Sequence, residues 1–365
     1  MTKKVTDIVE LLKIVYEKKA SDLHLTAGAP PRMRLDSALI DVEEYDILSA
    51  AESKNICYGI MTEYQKKIFE ENFDVDFSFG VPGVSRFRAN VYMQRGTVAG
   101  AFRLIPHEIP PFDDLGIPPI VQSFANLPKG LVLVTGPTGS GKSTTLAALI
   151  NKINNERRAH IITIEDPIEF TYKNSKALVG QREVGSDVKS FASALKHVLR
   201  QDPDIILIGE MRDLETIEAA ITAAETGHLV FATLHTNSAP ETINRIIDVF
   251  PANQQMQIRT QLSTSLQGIV SQTLLKRKDK AGRALAMEVM IPNSAIRNLI
   301  REDKVPQIYS AMQVGQTQSG MMTMNQSLLE LFKKGIITYD SALNASTDRK
   351  SLKRDLDKAK YLSKK

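Results

Sequence analysis

The sequence predicts an α/β protein of two domains, and its length, one proline-rich stretch and the alternation of strands with helices all indicate this. The 365 residues exceed the usual size of a single domain. Five of the sixteen prolines fall between Pro106 and Pro119, where they favour an extended connector. Beyond them, β-rich runs alternate with helical segments, which is typical of a parallel sheet covered by helices. We therefore expect a domain over 1–105, a linker over 106–119 and a second domain over 120–365.

Composition places the chain among folded soluble proteins, with 42% hydrophobic and 24% charged residues. Its apolar runs are far shorter than the roughly 20 residues that span a membrane, so we expect no transmembrane segment. The N-terminal residues do not have the layout of a signal peptide. The single cysteine, Cys57, rules out an internal disulfide and favours a reducing cytoplasm. The net charge of +4 is carried by the basic tail 348–365, most simply a solvated helix, and we expect no nucleic-acid partner.

The first domain is predicted to be α+β with an antiparallel sheet. Helical patterns cover 5–19 and 48–70. Apolar residues then alternate with polar ones from Phe73 to Phe79, a turn follows at Gly80–Gly83, and the next strand places Arg86 and Arg88 on one face. A third strand ends at Arg103.

The second domain is predicted to hold a parallel sheet followed by a helical extension. Beyond about residue 255 the pattern becomes mostly helical, with apolar residues at Ile296, Leu299 and Ile300 and again from Leu328 to Phe332. The four predicted strands cover residues 130–136, 160–165, 204–209 and 229–235.

A phosphate-binding loop follows the first of these strands. Its sequence fits GxxxxGK[ST] and lies between a buried strand and a helix, as the mechanism requires. Backbone N–H groups and the helix N-terminus would bind the phosphates of ATP, Lys142 would reach the β and γ phosphates, and Ser143 would ligate Mg²⁺. The predicted nucleotide-binding residues are Gly136, Pro137, Thr138, Gly139, Ser140, Gly141, Lys142, Ser143 and Thr144.

Two carboxylates stand at the ends of apolar strands. Glu210 follows the strand that begins at Asp204, although Gly209 stands where many P-loop enzymes have an aspartate. Glu165 ends another strand, and the carboxyl ends of parallel strands share the phosphate edge. We assign Glu210 to the Mg²⁺ side and Glu165 to the attacking water, with the reverse assignment left open.

Two histidines flank the last predicted strand. His235 ends it on the phosphate side and is a candidate sensor of the γ-phosphate. His228 precedes it, and seven strand residues span about 23 Å, so the two cannot share one ligand. His228 is therefore a secondary catalytic candidate, because a lone histidine is more often a structural residue.

Four motifs stand at these positions: GPTGSGKST at 136–144, TIEDPIEF at 163–170, RQDPDIILIGEMRD at 200–213 and TGHLVFATLHT at 226–236. Together they resemble the secretion ATPases that power type II secretion and type IV pili. A fifth, AIRNLIRE at Ala295–Glu302, resembles the retraction ATPases of that family, and we call these eight residues the retraction motif. Extension and type II secretion ATPases generally carry a longer N-terminal region and a tetracysteine insert, which this chain lacks.

The resemblance implies a PAS-like N-terminal domain, a RecA-like P-loop domain with a helical C-terminal extension, and a homo-hexamer. It implies ATP hydrolysis with Mg²⁺ that drives domain rotation against an inner-membrane pilus platform protein, at the inner face of the cytoplasmic membrane. It also implies catalytic arginines from the first domain, matched here by Arg88, Arg95 and Arg103 with Arg86 as a further candidate. The rivals are an extension or secretion ATPase of the same family and, from another class, a P-loop nucleic-acid motor, which would need base-stacking aromatics.

The retraction motif is predicted to be an amphipathic helix. Its apolar residues lie on one side, while Arg297 and Arg301 are four residues apart on another. Like charges at that spacing repel, so we expect an acidic partner for the pair. The eight residues are Ala295, Ile296, Arg297, Asn298, Leu299, Ile300, Arg301 and Glu302.

Overall fold

The computed structural model describes residues 7–35, 38–43, 45–106, 108–314 and 320–362. It divides into two compact units. The first consists of the chain up to Glu108 together with Pro167–Thr171, and the second holds Ile109–Asp166 and the chain from Tyr172 onward. The division falls inside the proline-rich stretch, while the exact domain boundaries stay a prediction.

The proline-rich stretch is only partly extended, contrary to expectation. Helix α4 (Phe112–Leu115) begins after Pro111, and helix α5 (Pro119–Gln122) has Pro119 at its first position. Proline is tolerated at a helix start because the N–H it lacks would have no partner there. Phe112 and Leu115 pack into the core of the second unit.

The first unit contains an antiparallel sheet of six strands and three helices among its described residues. The sheet order is β3-β2-β1-β6-β5-β4. In chain order, and keeping α4 and α5 for the helices above, the elements are α1 (Ile8–Glu17), β1 (Asp22–Leu25), β2 (Arg32–Leu35), β3 (Ala38–Asp41), α2 (Ala50–Gly59), α3 (Glu63–Asn72), β4 (Asp74–Val81), β5 (Ser85–Gln94) and β6 (Thr97–Ile105).

Three predictions for this unit were wrong in detail. Strands β1, β2 and β3 were not predicted, since four residues are too few to show a period. The single helix expected over 48–70 is two helices, because Thr62 caps a new helix start with both bonds of a capping box. Phe73 ends α3 with a φ of 60° and is exposed, so it does not begin the strand.

The second unit is built around a sheet of seven strands. The described helices that follow α5 are labelled α6 to α15. They are α6 (Lys142–Glu156), α7 (Phe191–Val198), α8 (Leu214–Glu225), α9 (Ala239–Asp248), α10 (Ala252–Ser265), α11 (Ser294–Arg301), α12 (Ile308–Val314), α13 (Met324–Lys333), α14 (Tyr339–Ala345) and α15 (Arg349–Leu362). The strands are β7 (Gly130–Thr135), β8 (His160–Glu165), β9 (Leu178–Glu183), β10 (Ile205–Ile208), β11 (Leu229–Leu234), β12 (Leu266–Lys276) and β13 (Arg283–Met290).

The strand order of this sheet is β13-β12-β7-β11-β10-β8-β9. All neighbours pair in parallel except β13, which is antiparallel to β12. Strands β7, β10 and β11 are completely buried, because helices cover both faces of a parallel sheet. The carboxyl ends of β7, β11, β10 and β8 therefore lie side by side along one edge.

Strands β12 and β13 contradict the expectation that the chain is mostly helical beyond residue 255. Polar Ser271 and Gln272 interrupt the apolar run of β12, so the sequence shows neither alternation nor a continuous apolar strand. Both side chains are buried in the structure. The helices predicted around Ile296 and Leu328 are present as α11 and α13. No helix of the described residues is long and apolar enough to cross a membrane.

Candidate nucleotide site

The loop between β7 and α6 has the shape that phosphate binding requires. Gly136 has a φ of 140°, and a Cβ built on it would lie 2.3 Å from the carbonyl oxygen of Gln272 on β12. Only glycine can occupy that position, so the loop packs its backbone directly against β12. Its N–H groups and the N-terminus of α6 are then left to bind an anion.

Lys142 is folded into this loop. Its ammonium group donates to the carbonyl oxygens of Gly136 at 2.9 Å and Pro137 at 3.2 Å. Burial lowers the pKa of Lys142, and the charge of Glu210 partly opposes that shift. Lys142 is thus held at the centre of the loop, within the field of Glu210.

Three side chains that the sequence did not indicate support the loop from β12 and β13. The Gln272 amide donates to the carbonyl oxygen of Ser140 at 2.9 Å, and Arg283 Nη1 lies 3.5 Å from that of Gly139. Ser271 Oγ lies 2.8 Å from Thr135 Oγ1. These residues were missed because their two strands were themselves not predicted.

Glu210 and His235 follow the neighbouring strands β10 and β11 and are in contact, which the sequence did not indicate. Nε2 of His235 lies 3.0 Å from Oε1 of Glu210, and Arg212 Nε lies 2.6 Å from the same oxygen. The backbone N–H of Met211 donates to the carbonyl oxygen of Thr233, which joins the two strand ends. A carboxylate, an imidazole and a guanidinium therefore meet beside the loop that holds Lys142.

Glu165 lies further along the same edge. Thr163 Oγ1 donates to its Oε1 at 2.6 Å and Gln181 Nε2 at 3.2 Å, and the side chain is buried. Strand β8 is three places from β7, which is about 14 Å at the usual strand spacing. A Cβ on Gly209 would lie 3.2 Å from the Glu165 Cα, so an aspartate there would crowd the Glu165 backbone.

His228 lies apart from this site, and a catalytic role for it stays a prediction. It precedes β11, at the opposite edge of the sheet from His235. Its Nδ1 lies 3.0 Å from the carbonyl oxygen of Ala223, and its backbone N–H donates to the same oxygen. His228 therefore contacts the last turn of helix α8 through both its side chain and its backbone.

The residues present fit a magnesium ion that is held jointly with phosphate. No cluster of three or more His, Cys, Asp or Glu suited to a metal occurs within the ranges described. Mg²⁺ in nucleotide sites commonly takes one or two protein oxygens and fills its shell with phosphates and water. The exposed Ser143 hydroxyl and the Glu210 carboxylate supply such oxygens.

Comparison with known proteins identifies the family. A profile of the type II/IV secretion system proteins matches residues 112–354. The chain belongs to the type II/IV secretion system protein family. It is 52% identical to the type IV pilus retraction ATPase PilT of Pseudomonas aeruginosa, over 92% of this chain and 97% of that protein. A twitching motility protein of Neisseria gonorrhoeae is 51% identical over 94% of this chain and 92% of its own length.

A solved structure of this family has the same fold. The crystal structure of the pilus retraction motor PilT with bound ADP superposes with a TM-score of 0.89 at 54% identity. The match covers 96% of this chain and 99% of that one. It confirms the predicted fold class, a small N-terminal α+β domain followed by a P-loop domain with a helical C-terminal extension.

The three preferred arginines of the first unit do not form one cluster. Arg88 and Arg103 are cross-strand neighbours on β5 and β6. Arg103 forms an ion pair with Asp22 at 2.8 Å, and Arg88 lies 3.8 Å from Asp76. Arg95 is in the turn beyond Gln94, and the six strand steps from Arg88 to Gln94 span about 20 Å. The catalytic role of all three, and of Arg86, stays a prediction.

The retraction motif forms helix α11, as predicted. Ile296 and Ile300 are completely buried and Leu299 is partly buried against the same core. The expectation that Arg297 has an acidic partner was wrong. Its guanidinium donates instead to the carbonyl oxygens of Ser263 and Thr264, at the C-terminus of α10. A cation is favourable there because those carbonyls carry the negative end of the helix dipole.

Proposed function

We propose that this chain is an ATP-hydrolysing motor that retracts type IV pili. The contact that carries the proposal is the pair of Glu210 and His235, 3.0 Å apart beside the loop that holds Lys142. That arrangement suits a phosphoryl-transfer site in which a carboxylate and an imidazole lie near the terminal phosphate. The identity to retraction ATPases and the retraction motif support the choice of pilus retraction over other work.

In the proposed reaction, water attacks the γ-phosphorus of ATP and the products are ADP and phosphate. The loop amides bind the phosphates, and Lys142 leaves the carbonyls of Gly136 and Pro137 to contact the β and γ phosphates. Bound Mg²⁺ would neutralise phosphate charge, with Ser143 and Glu210 as its protein ligands. His235 donates from Nε2 to Glu210 and thereby fixes the position of that carboxylate.

Glu165 is assigned to the attacking water and Glu210 to the metal side. Glu210 is the carboxylate whose charge reaches Lys142. Glu165 accepts from Thr163 and Gln181, which would orient it as a general base. Glu210→Gln should then raise the Mg²⁺ concentration needed for half-maximal hydrolysis, whereas Glu165→Gln should lower kcat at saturating Mg²⁺. The opposite pattern would reverse the two roles.

The wider assignments follow from the same proposal. The motor would act as a homo-hexamer at the inner face of the cytoplasmic membrane and couple domain rotation to an inner-membrane pilus platform protein. Arginines of the first unit would contact the nucleotide in the assembled ring. No nucleic acid is needed for any of these steps.

A deletion strain tests the proposed function. Loss of a retraction motor should leave cells with more pili that fail to shorten and abolish twitching motility, and the wild-type gene should restore both. Complementation with Lys142→Ala should fail at equal protein level, because hydrolysis supplies the work. If the deletion instead removes surface pili, the chain is an extension motor and the proposal is wrong.

A further inference from the structure

Glu288 is a buried carboxylate that the reaction above does not use. It lies on β13 with a relative exposure of 1%. One oxygen accepts the backbone N–H of Ala239 at 2.7 Å, and the carboxylate also accepts the N–H of Met324. Burial raises the pKa of Glu288, and these two hydrogen bonds oppose the shift. The first residues of two helices, α9 and α13, therefore meet on one side chain, where the positive ends of both helix dipoles favour a carboxylate.

Helix α9 begins directly after residues 235–238, which we call the His235 loop. Thr236 Oγ1 lies 2.6 Å from Thr242 Oγ1, and the Thr242 hydroxyl donates to the carbonyl oxygen of Ser238 at 2.7 Å. These bonds tie the loop to the first turn of α9, so the two are held as one body. The position of Ala239 thus sets the position of His235 and, through it, the contact with Glu210.

Strand β13 continues from Glu288 into the retraction motif. It ends at Met290, and Asn293 then caps helix α11 through its side chain. Val289 also exchanges two backbone hydrogen bonds with Met322, just before α13. The Glu288 side chain therefore connects three elements, which are strand β13, the His235 loop and helix α13.

We propose that Glu288 is a positioning residue that fixes the His235 loop against the strand leading into the retraction motif. This inference rests on the proposed ATPase function, because the loop matters through the pairing of His235 with Glu210. Glu288 does not touch the reacting atoms. Its effect is to keep His235 where it can hold Glu210 during hydrolysis.

Glu288→Gln tests this with almost no change of volume. A glutamine has one accepting oxygen in place of two and lacks the negative charge that both helix N-termini favour, so the pair of bonds is weakened. Ser327→Ala is the matched control. Ser327 Oγ accepts the buried N–H of Met287 at 3.0 Å, which joins α13 to β13 without involving the His235 loop.

Steady-state ATP hydrolysis and thermal unfolding are measured on the full-length proteins. We expect Glu288→Gln to lower kcat about tenfold or more while KM for ATP changes less than about twofold, since the phosphate loop is untouched. Ser327→Ala should keep the wild-type kcat at a comparable melting temperature. An unchanged kcat in Glu288→Gln, or an equal loss in both variants, would overturn the positioning role.

Hydrogen exchange separates this inference from the proposed function. In Glu288→Gln the amides of Ala239 and of residues 241–243 should exchange faster than in wild type and in Ser327→Ala, with or without ATP turnover. If the wild type fails to hydrolyse ATP, the proposed function falls while the exchange result still decides the role of Glu288. Equal exchange in all three proteins refutes it. Should Glu288→Gln fail to fold, Glu288→Asp, which is one methylene too short to reach both helices, is compared in the same way.

Discussion

Arg297→Ala is expected to destabilise the second unit through helix α10 and not through loss of an ion pair. The guanidinium donates to the carbonyl oxygens of Ser263 and Thr264, and Nη2 lies 3.4 Å from Oε1 of Gln267. The mutation leaves those carbonyls at the end of α10 without a cationic donor. Their position at a partly buried helix terminus makes the loss costly.

The size of the effect follows from these contacts. A hydrogen bond from a charged donor contributes about 1.5–3 kcal/mol, and two are removed. Burial lowers the pKa of Arg297, which shows that desolvation of the guanidinium offsets part of that gain. A net loss of about 2 kcal/mol remains, equal to roughly 4–8 °C in Tm for a unit of this size.

Arg301→Ala is the control on the same helix. Arg301 is exposed, and Nη2 lies 3.2 Å from Oδ1 of Asn298. An exposed contact of this kind contributes at most about 0.5 kcal/mol, so Tm should fall by no more than about 2 °C. Calorimetry or circular dichroism on both variants measures the difference. Equal shifts, or a larger one for Arg301→Ala, would refute the role of Arg297 as a C-terminal cap of α10.

Three further outcomes are expected. Gln272→Leu should raise KM for ATP about five- to tenfold with a smaller change in kcat, because the Ser140 carbonyl loses its donor beneath the phosphate loop; an unchanged KM would show that the loop holds its shape alone. Leu299→Ala should keep appreciable hydrolysis but impair retraction, since Leu299 lies on the retraction motif, away from the nucleotide loop; normal twitching motility in that strain would contradict a coupling role. Burial raises the pKa of the Cys57 thiol to about 12, so folded protein at pH 8 should react with iodoacetamide at least about a thousandfold more slowly than unfolded protein. Rapid labelling without loss of structure would contradict its burial.

The site elements that the sequence predicted are those encoded by contiguous residues. The phosphate loop is one such run, and each of its functions depends on residues a few positions apart. Glu210 and His235 could each be placed at the phosphate edge because the ends of parallel strands share one edge, while their contact at 3.0 Å is visible only in the structure. Helices α11 and α13 were visible through the spacing of their apolar residues.

The missed elements depend on contacts between distant parts of the chain. Gln272 supports Ser140 across 132 residues, and Glu288 accepts from Ala239 across 49. No local pattern marks a buried polar residue whose partner is a backbone group elsewhere. The expectation of an acidic partner for Arg297 failed for the same reason. The spacing of residues in α11 does not reveal that the end of α10 lies beside it.

The central claim is that this loop, with Glu210 and His235, splits ATP. Phosphate release by the purified full-length protein, with Mg²⁺ and ATP, tests it most directly in parallel with Lys142→Ala and His235→Ala. We expect turnover by the wild type, none above background for Lys142→Ala and a kcat at least about a hundredfold lower for His235→Ala, all three with native melting curves. Wild-type protein that releases no phosphate, or a Lys142→Ala variant that keeps full turnover, would contradict the account.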